Sequence, residues 1–154
     1  IAVGGKTRQQ SVFAGVRAAS EDAAYYCIHD GARPLASRQV IAGVLEAAQR
    51  EGAATAAVKA KDTIKIAGPD GFILSTPDRD SLYLTQTPQV FEASLYREAM
   101  EAALAAGKEY TDDCQLVEAI GRRVYLAGGD YANIKLTTPE DQIVAEALLE
   151  YAGE

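Results

Sequence analysis

Five cations stand beside glycine- and threonine-rich stretches: Lys6, Arg8, Arg33, Arg79 and Lys135. Arginine offers a planar fork of donors that matches phosphate, and lysine offers a compact point charge. One of them closes the run His29-Asp30-Gly31-Ala32-Arg33-Pro34. Asp30 can accept ligand hydroxyls or face a metal-bound phosphate, and Gly31 lets a ligand approach the backbone closely. Gly4-Gly5 ahead of a helix adds a weaker anion-binding signal, through free N–H groups and the helix dipole. Each cation alone is more simply a solvated charge, and Asp-x-x-Arg alone a salt-bridged turn. Their recurrence at glycines and strand ends tilts the set toward a polyanion site. The chemistry implied is the binding of a phosphorylated small molecule.

Other chemistries find little support. There is no G-x-G-x-x-G, Walker A, C-x-x-C or G-x-S-x-G pattern. His29 is the only histidine, which argues against Ser-His-Asp triads and His-rich metal sites. Cys27 and Cys114 read as reduced, buried thiols. A net charge of −7 argues against nucleic-acid or anionic-membrane partners, and no apolar run reaches membrane-spanning length. The expected location is the cytoplasm.

The elements that must carry these residues alternate. Tyr25–Ile28 reads as a buried strand, and the polar loop after it lies where open α/β sheets bind ligands, beyond a central strand. A helix over 38–50 follows, with Val40, Ile41, Val44, Leu45 and Ala48 inward, Ser37 as N-cap and Gly52 as stop. Residues 54–60 form a small-residue strand covered on both faces. Before this, Ile1-Ala2-Val3 reads as a strand end, and a helix after Gly4-Gly5 carries Val12, Val16 and Ala19. Residues 62–66 and 72–75 alternate around a Gly-Pro-Asp-Gly turn, which predicts a hairpin with an exposed face, projecting as a lid or dimer arm. Extended structure resumes at Thr85–Phe91, where Pro88 disfavours a helix. Two helices end at Gly107 and Gly121; Val124–Ala127 and Asn133–Leu136 read as strands. A last helix opens at Thr138-Pro139 and buries Ile143, Val144, Ala147 and Leu148. With 154 residues there is room for one α/β domain.

The motifs follow one another in a familiar order: G-G-x-x-R-x-x-S-V, H-D-G-A-R-P, D-T-I-K, T-P-D-R-D-S-L, T-Q-T-P-Q-V-F, T-D-D and N-I-K-L-T-T-P-E-D. Together, over essentially the whole chain, they resemble the 2-C-methyl-D-erythritol 4-phosphate cytidylyltransferases of the non-mevalonate isoprenoid pathway. The resemblance implies a Rossmann-like, nucleotide-diphospho-sugar-transferase-type three-layer sandwich with a projecting β-hairpin arm at about residues 62–79. It implies transfer of a cytidylyl group from CTP to a small phosphorylated polyol, with release of pyrophosphate. Mg²⁺ would be bound mainly through the CTP phosphates, with no metal ligand assigned in this chain.

By the same resemblance, Gly5, Lys6, Ser11 and Gly31 lie on the nucleotide side, with backbone the safer contact at position 6. Asp30 and Arg33 hold the polyol hydroxyls, and Thr63 and Arg79 reach the substrate phosphate from a partner subunit's arm, with Thr111 nearby. Lys135 approaches both phosphates, and Arg79 and Lys135 are the catalytic pair. An attacking phosphate is already anionic, so positioning and charge neutralisation suffice without a general base. The family's glycine-rich loop, with its arginine and lysine, has no counterpart here. Residues 1–154 therefore read as one partial domain without its N-terminal part, expected to be inactive alone. Two alternatives stand beside this reading: a ribitol-5-phosphate cytidylyltransferase, and a non-catalytic remnant that dimerises through the hairpin.

Overall fold

Alanines and β-branched residues that can be covered on both sides build the centre of the molecule. In the computed structural model, described for residues 1–152, β2 (Ala53–Lys59) is buried from Ala53 to Val58. Residues 153 and 154, the end of the expected 1–154 domain, lie outside the described residues. β5 (Tyr83–Glu92) runs antiparallel to β2 on one side, and β6 (Tyr125–Gly128) runs parallel to it on the other. β1 (Tyr25–Ile28) pairs antiparallel with β5, so the order is β1-β5-β2-β6.

Alternation along the strands sends side chains to two helical layers. On one face, Val40, Val44, Ala47 and Ala48 of α2 (Arg38–Glu51) meet Ala54, Ala56, Val90 and Ala127. On the other, Ala53 and Phe91 pack with Phe13 and Val16 of α1 (Arg8–Arg17), Tyr96 and Met100 of α3 (Ala93–Ala106), and Leu116 and Val117 of α4 (Asp113–Ala119). This is the expected three-layer α/β arrangement around a mixed sheet. Truncating a residue as buried as Tyr96 or Phe91 to alanine typically costs about 3–5 kcal/mol.

Local chemistry sets the helix ends as expected. Ser37 accepts the Val40 N–H, and Gly52 closes α2 in the left-handed region at φ 83°. At α5 (Pro139–Ala152), Asp141 accepts the Thr137 and Thr138 N–H groups at 2.8 Å. Those bonds hold its carboxyl below the usual range.

β5 breaks its ladder where proline must. Between the pairs Thr55–Gln89 and Ala57–Thr85, β2 advances two residues while β5 advances four. Pro88 has no N–H to offer β2, and the extra residues bulge. That bulge turns Gln86 and Thr87 toward the loops that follow β1 and β6.

Several sequence expectations are corrected. Tyr25–Ile28 is an edge strand, not a central one, and only Tyr26 on it is buried. Cys27 is consequently exposed, while Cys114 is buried and its thiol pushed up by burial. Ile1–Val3 forms no strand and is exposed, as it has no neighbour to pair with. α1 stops at Arg17, leaving Ala19 exposed beyond it. Ile41, Leu45 and Leu104 lie at the margins of their helices' apolar stripes and are exposed. Residues 133–136 form no strand, because their polar groups bond to loops instead of a ladder. Among the described residues of α5 only Ala145 is buried, and Ile143 and Val144 face outward at 69% and 48% exposure. The hairpin strands are short, β3 (Ile66–Ala67) and β4 (Ile73–Ser75), and both are exposed throughout.

Candidate active site

The site is assembled on the bulge of β5. Thr87 Oγ1 accepts the Asp30 N–H at 3.0 Å and lies 2.9 Å from His29 Nδ1. His29 Nε2 sits 2.9 Å from the Arg33 carbonyl. A carbonyl only accepts, so Nε2 carries the hydrogen, and in the neutral ring Nδ1 accepts from Thr87. The lone histidine thus braces the loop and does not face the pocket's cations as a base.

Asn133 ties the second loop to the first. Its side chain is fully buried, and Nδ2 donates to the Thr87 carbonyl at 2.8 Å and to Gln86 Oε1 at 3.4 Å. Its own carbonyl accepts from Arg33 Nη1 at 2.7 Å, while the Leu136 N–H donates to the Ala32 carbonyl. Gln86 also clasps the turn at Asp130, through Nε2 to its carbonyl and Oε1 from its N–H. Gly129 is required there, since a Cβ would stand 2.5 Å from Gln86 Oε1 and 3.0 Å from the Ala57 backbone. Lys135 is thereby carried to Asp30: Nζ lies 2.9 Å from Oδ2.

Arg8 completes the constellation. Nε is 3.3 Å from Asp30 Oδ1, and Nη1 is 2.6 Å from Oδ2 of the fully buried Asp113. Burial alone would raise the Asp30 carboxyl, but the Lys135 and Arg8 contacts outweigh it and hold the group below its ordinary value. Burial pulls the Arg33 guanidinium somewhat down.

A pocket of about 160 Å³ opens among Arg8, Asp30, Arg33, Thr87, Thr111 and Lys135. A larger concavity of about 920 Å³ lies between the start of α3 and the loop before β6, near Glu51, Glu92, Arg122 and Arg123. None of the candidate residues lines it, and its charges form no ion pair among the described residues. Converging, interlocked polar groups mark the smaller pocket as the candidate site, whatever its size.

Four of the expected residues, Asp30, Arg33, Thr111 and Lys135, therefore share one pocket. Gly31 lies exposed beside it, with open space where a side chain would be. Gly5, Lys6 and Ser11 do not line it. The Gly5 N–H donates to Ser11 Oγ and the Lys6 N–H to Gln10 Oε1, so these groups are not free for an anion as expected. Gly5 also has a packing reason, as a Cβ would fall 2.3 Å from that of Gln10. Thr63 and Arg79 are absent from the lining; Arg79 donates to the Lys61 carbonyl at 3.3 Å. The sequence pattern alone assigns no site role to Asn133, Gln86, Thr87 or Asp113, although all four lie within its motifs. Arg8 stood only in the cation set.

The family model described as 2-C-methyl-D-erythritol 4-phosphate cytidylyltransferase matches residues 1–151. The chain belongs to this family. Relatives bearing that name are 50% identical in Caldanaerobacter subterraneus over 97% of this chain and in Bacillus licheniformis over 96%. The chain spans 66% and 63% of their respective lengths. Among solved structures, the Thermus thermophilus cytidylyltransferase superposes with a TM-score of 0.85 at 43% identity, over 94% of this chain and 70% of that one. The 4-diphosphocytidyl-2C-methyl-D-erythritol synthase of Anaerococcus prevotii gives 0.89 at 40% identity, over 96% and 68%. The mixed sheet with its helical layers is thus the fold of this family's nucleotidyltransferases. Among the described residues, no helix is long and apolar enough to cross a membrane.

Proposed function

We propose that the protein carrying this chain transfers a cytidylyl group from CTP to 2-C-methyl-D-erythritol 4-phosphate and releases pyrophosphate. The observation that carries this reading is the pocket itself. Two carboxylates, Asp30 and Asp112, line it with three cations, Arg8, Arg33 and Lys135, and Asp30 is ion-paired to Arg8 and Lys135. A ligand with both hydroxyls and phosphate meets such a set: Asp30 and Arg33 hold hydroxyls, and Lys135 takes phosphate charge. The nucleophile is the substrate's own phosphate oxygen, so the work left to the protein is alignment and neutralisation of crowded charge.

In this reading Lys135 leaves Asp30 to bridge the two phosphates. Arg79 and Thr63 come from the arm of a second copy, Thr111 sits near the substrate phosphate, and Gly5, Lys6, Ser11 and Gly31 border the nucleotide. Among the described residues no three acidic, cysteine or histidine side chains gather as a metal cage. Asp30 is already held by two cations, so the donor set does not make a Mg²⁺ site. The ion is proposed to arrive on the CTP phosphates, and no step is derived through it. A cytoplasmic location is proposed with this substrate pair.

Pyrophosphate release from CTP tests the assignment, with 2-C-methyl-D-erythritol 4-phosphate and ribitol 5-phosphate compared as acceptors. Turnover with the first and little with the second is expected, and Asp30→Asn should weaken acceptor use while sparing CTP affinity. Preference for ribitol 5-phosphate would overturn the substrate. Equal weakening of CTP affinity would move Asp30 to the nucleotide.

A further inference from the structure

A carboxylate removed from water must be fully partnered or it neutralises itself. Asp113 is fully buried, with Arg8 Nη1 on Oδ2 at 2.6 Å and the Tyr96 hydroxyl on Oδ1 at 2.5 Å. The Tyr96 hydroxyl is kept protonated by burial and by the charge of Asp113, so it donates. Three helices, α1, α3 and α4, meet in this arrangement. One edge of the Arg8 guanidinium is thus committed to the protein interior, and its Nε points to Asp30 Oδ1.

The two cations on Asp30 differ in what else holds them. The ammonium of Lys135 ends a flexible stem, on an irregular loop, with 43% of its side chain exposed. Arg8 is 32% exposed and tied to a carboxylate that has no exposure. A phosphate entering the pocket competes for both, and Lys135 is the one able to move. Asp30 would then be a half-buried carboxylate with one ion-pair partner remaining.

We propose that Arg8 is a positioning residue: anchored by Asp113 on one edge, it keeps Asp30 aimed into the pocket as a hydroxyl acceptor while Lys135 transfers from Asp30 to a ligand phosphate. The proposal rests on the reading of the ligand as a polyol phosphate. It differs from a purely structural brace of α1 to α4, which would leave Asp30 indifferent to Arg8.

Calorimetric titration of this chain with 2-C-methyl-D-erythritol 4-phosphate separates the two. Arg8→Met should weaken binding about tenfold, the usual loss for a hydrogen bond to a charged group. In an Asp30→Asn background the same change should cost less than about twofold, because the two residues act through one contact. Independent, additive losses overturn the proposal. Because Arg8→Met leaves Asp113 without a cation, Arg8→Lys is measured beside it: one ammonium can neutralise Asp113 but cannot bridge two carboxylates. It should restore thermal stability and not affinity; full recovery of affinity overturns the bridging role.

A second readout needs no polyol. The Asp30 carboxyl, followed by carbon NMR in the presence of inorganic phosphate, shares its pocket with Arg8, Arg33, Lys135 and Asp112, and Asp113 lies behind Arg8. Its titration midpoint should rise in Arg8→Met and, to a lesser degree, in Tyr96→Phe. An unmoved midpoint in Arg8→Met overturns the proposal. A moved midpoint without polyol-phosphate binding by the wild type supports the positioning role and removes the substrate reading instead.

Discussion

At the pocket, Arg8, Asp30, Asp113 and Lys135 are linked at 2.6–3.3 Å and rest on a buried bulge. Along the hairpin, Phe72, Ile73 and Leu74 are 74%, 62% and 68% exposed, and the strands pair only with each other. The first region is explained by its own chain: the loops that carry Asp30, Arg33 and Lys135 are bonded to Thr87, Gln86 or Asn133. The second is not. A contiguous apolar run held in solvent has no stabilising reason within the protomer, and such patches mark association surfaces. The difference is consistent with the proposed division of labour, in which one copy preorganises polyol-side groups and a second contributes the arm.

The comparison breaks first at the lysines. In the longer protein that carries this chain, Lys135→Ala should reduce kcat/KM for cytidylyl transfer about a hundredfold, as loss of one charge-stabilising donor does. Lys65→Ala, whose ammonium donates only to Thr76 on the exposed hairpin, should leave it nearly unchanged. Comparable losses in steady-state assays would dissolve the distinction between the two regions.

Stability should divide the same way. Asn133→Ala removes the buried amide that donates to the Thr87 carbonyl and to Gln86 Oε1, and should cost about 2–3 kcal/mol in denaturant unfolding. Phe72→Ser on the hairpin should change protomer stability by no more than about 0.5 kcal/mol. A large loss from Phe72→Ser in a monomeric sample would show the hairpin to be part of the protomer's own core.

The smallest effect is the most discriminating. Arg79→Ala and Lys135→Ala are placed on separate copies and the copies exchanged. If Arg79 acts in the neighbour's pocket, half the dimers are mixed and half their sites are whole, recovering roughly a quarter of full activity. Confirmed exchange with activity at background would put both residues in one protomer's site, and the arm would be a lid.

Much of this was legible before any coordinates. Ser37, Gly52, Gly107 and Gly121 mark helix ends through caps and left-handed backbone, which depend on residues only a few positions apart. The ordered motifs carry the family, and Asp30, Arg33, Thr111 and Lys135 come from them to one pocket. Where the sequence misled, the missing information was tertiary. Tyr25–Ile28 has an apolar run that suits a central strand, yet its neighbours are set by long-range pairing and leave it at an edge. Asn133–Leu136 looks like a strand, but its polar groups find loop partners as far as 100 positions away. Arg8 and Asp113 are separated by 105 positions, and no periodicity connects them. Local sequence fixes which turn or helix a residue enters, because those contacts lie within a few residues. Which buried carboxylate a distant arginine must neutralise is decided only when the helices pack and water is excluded between them.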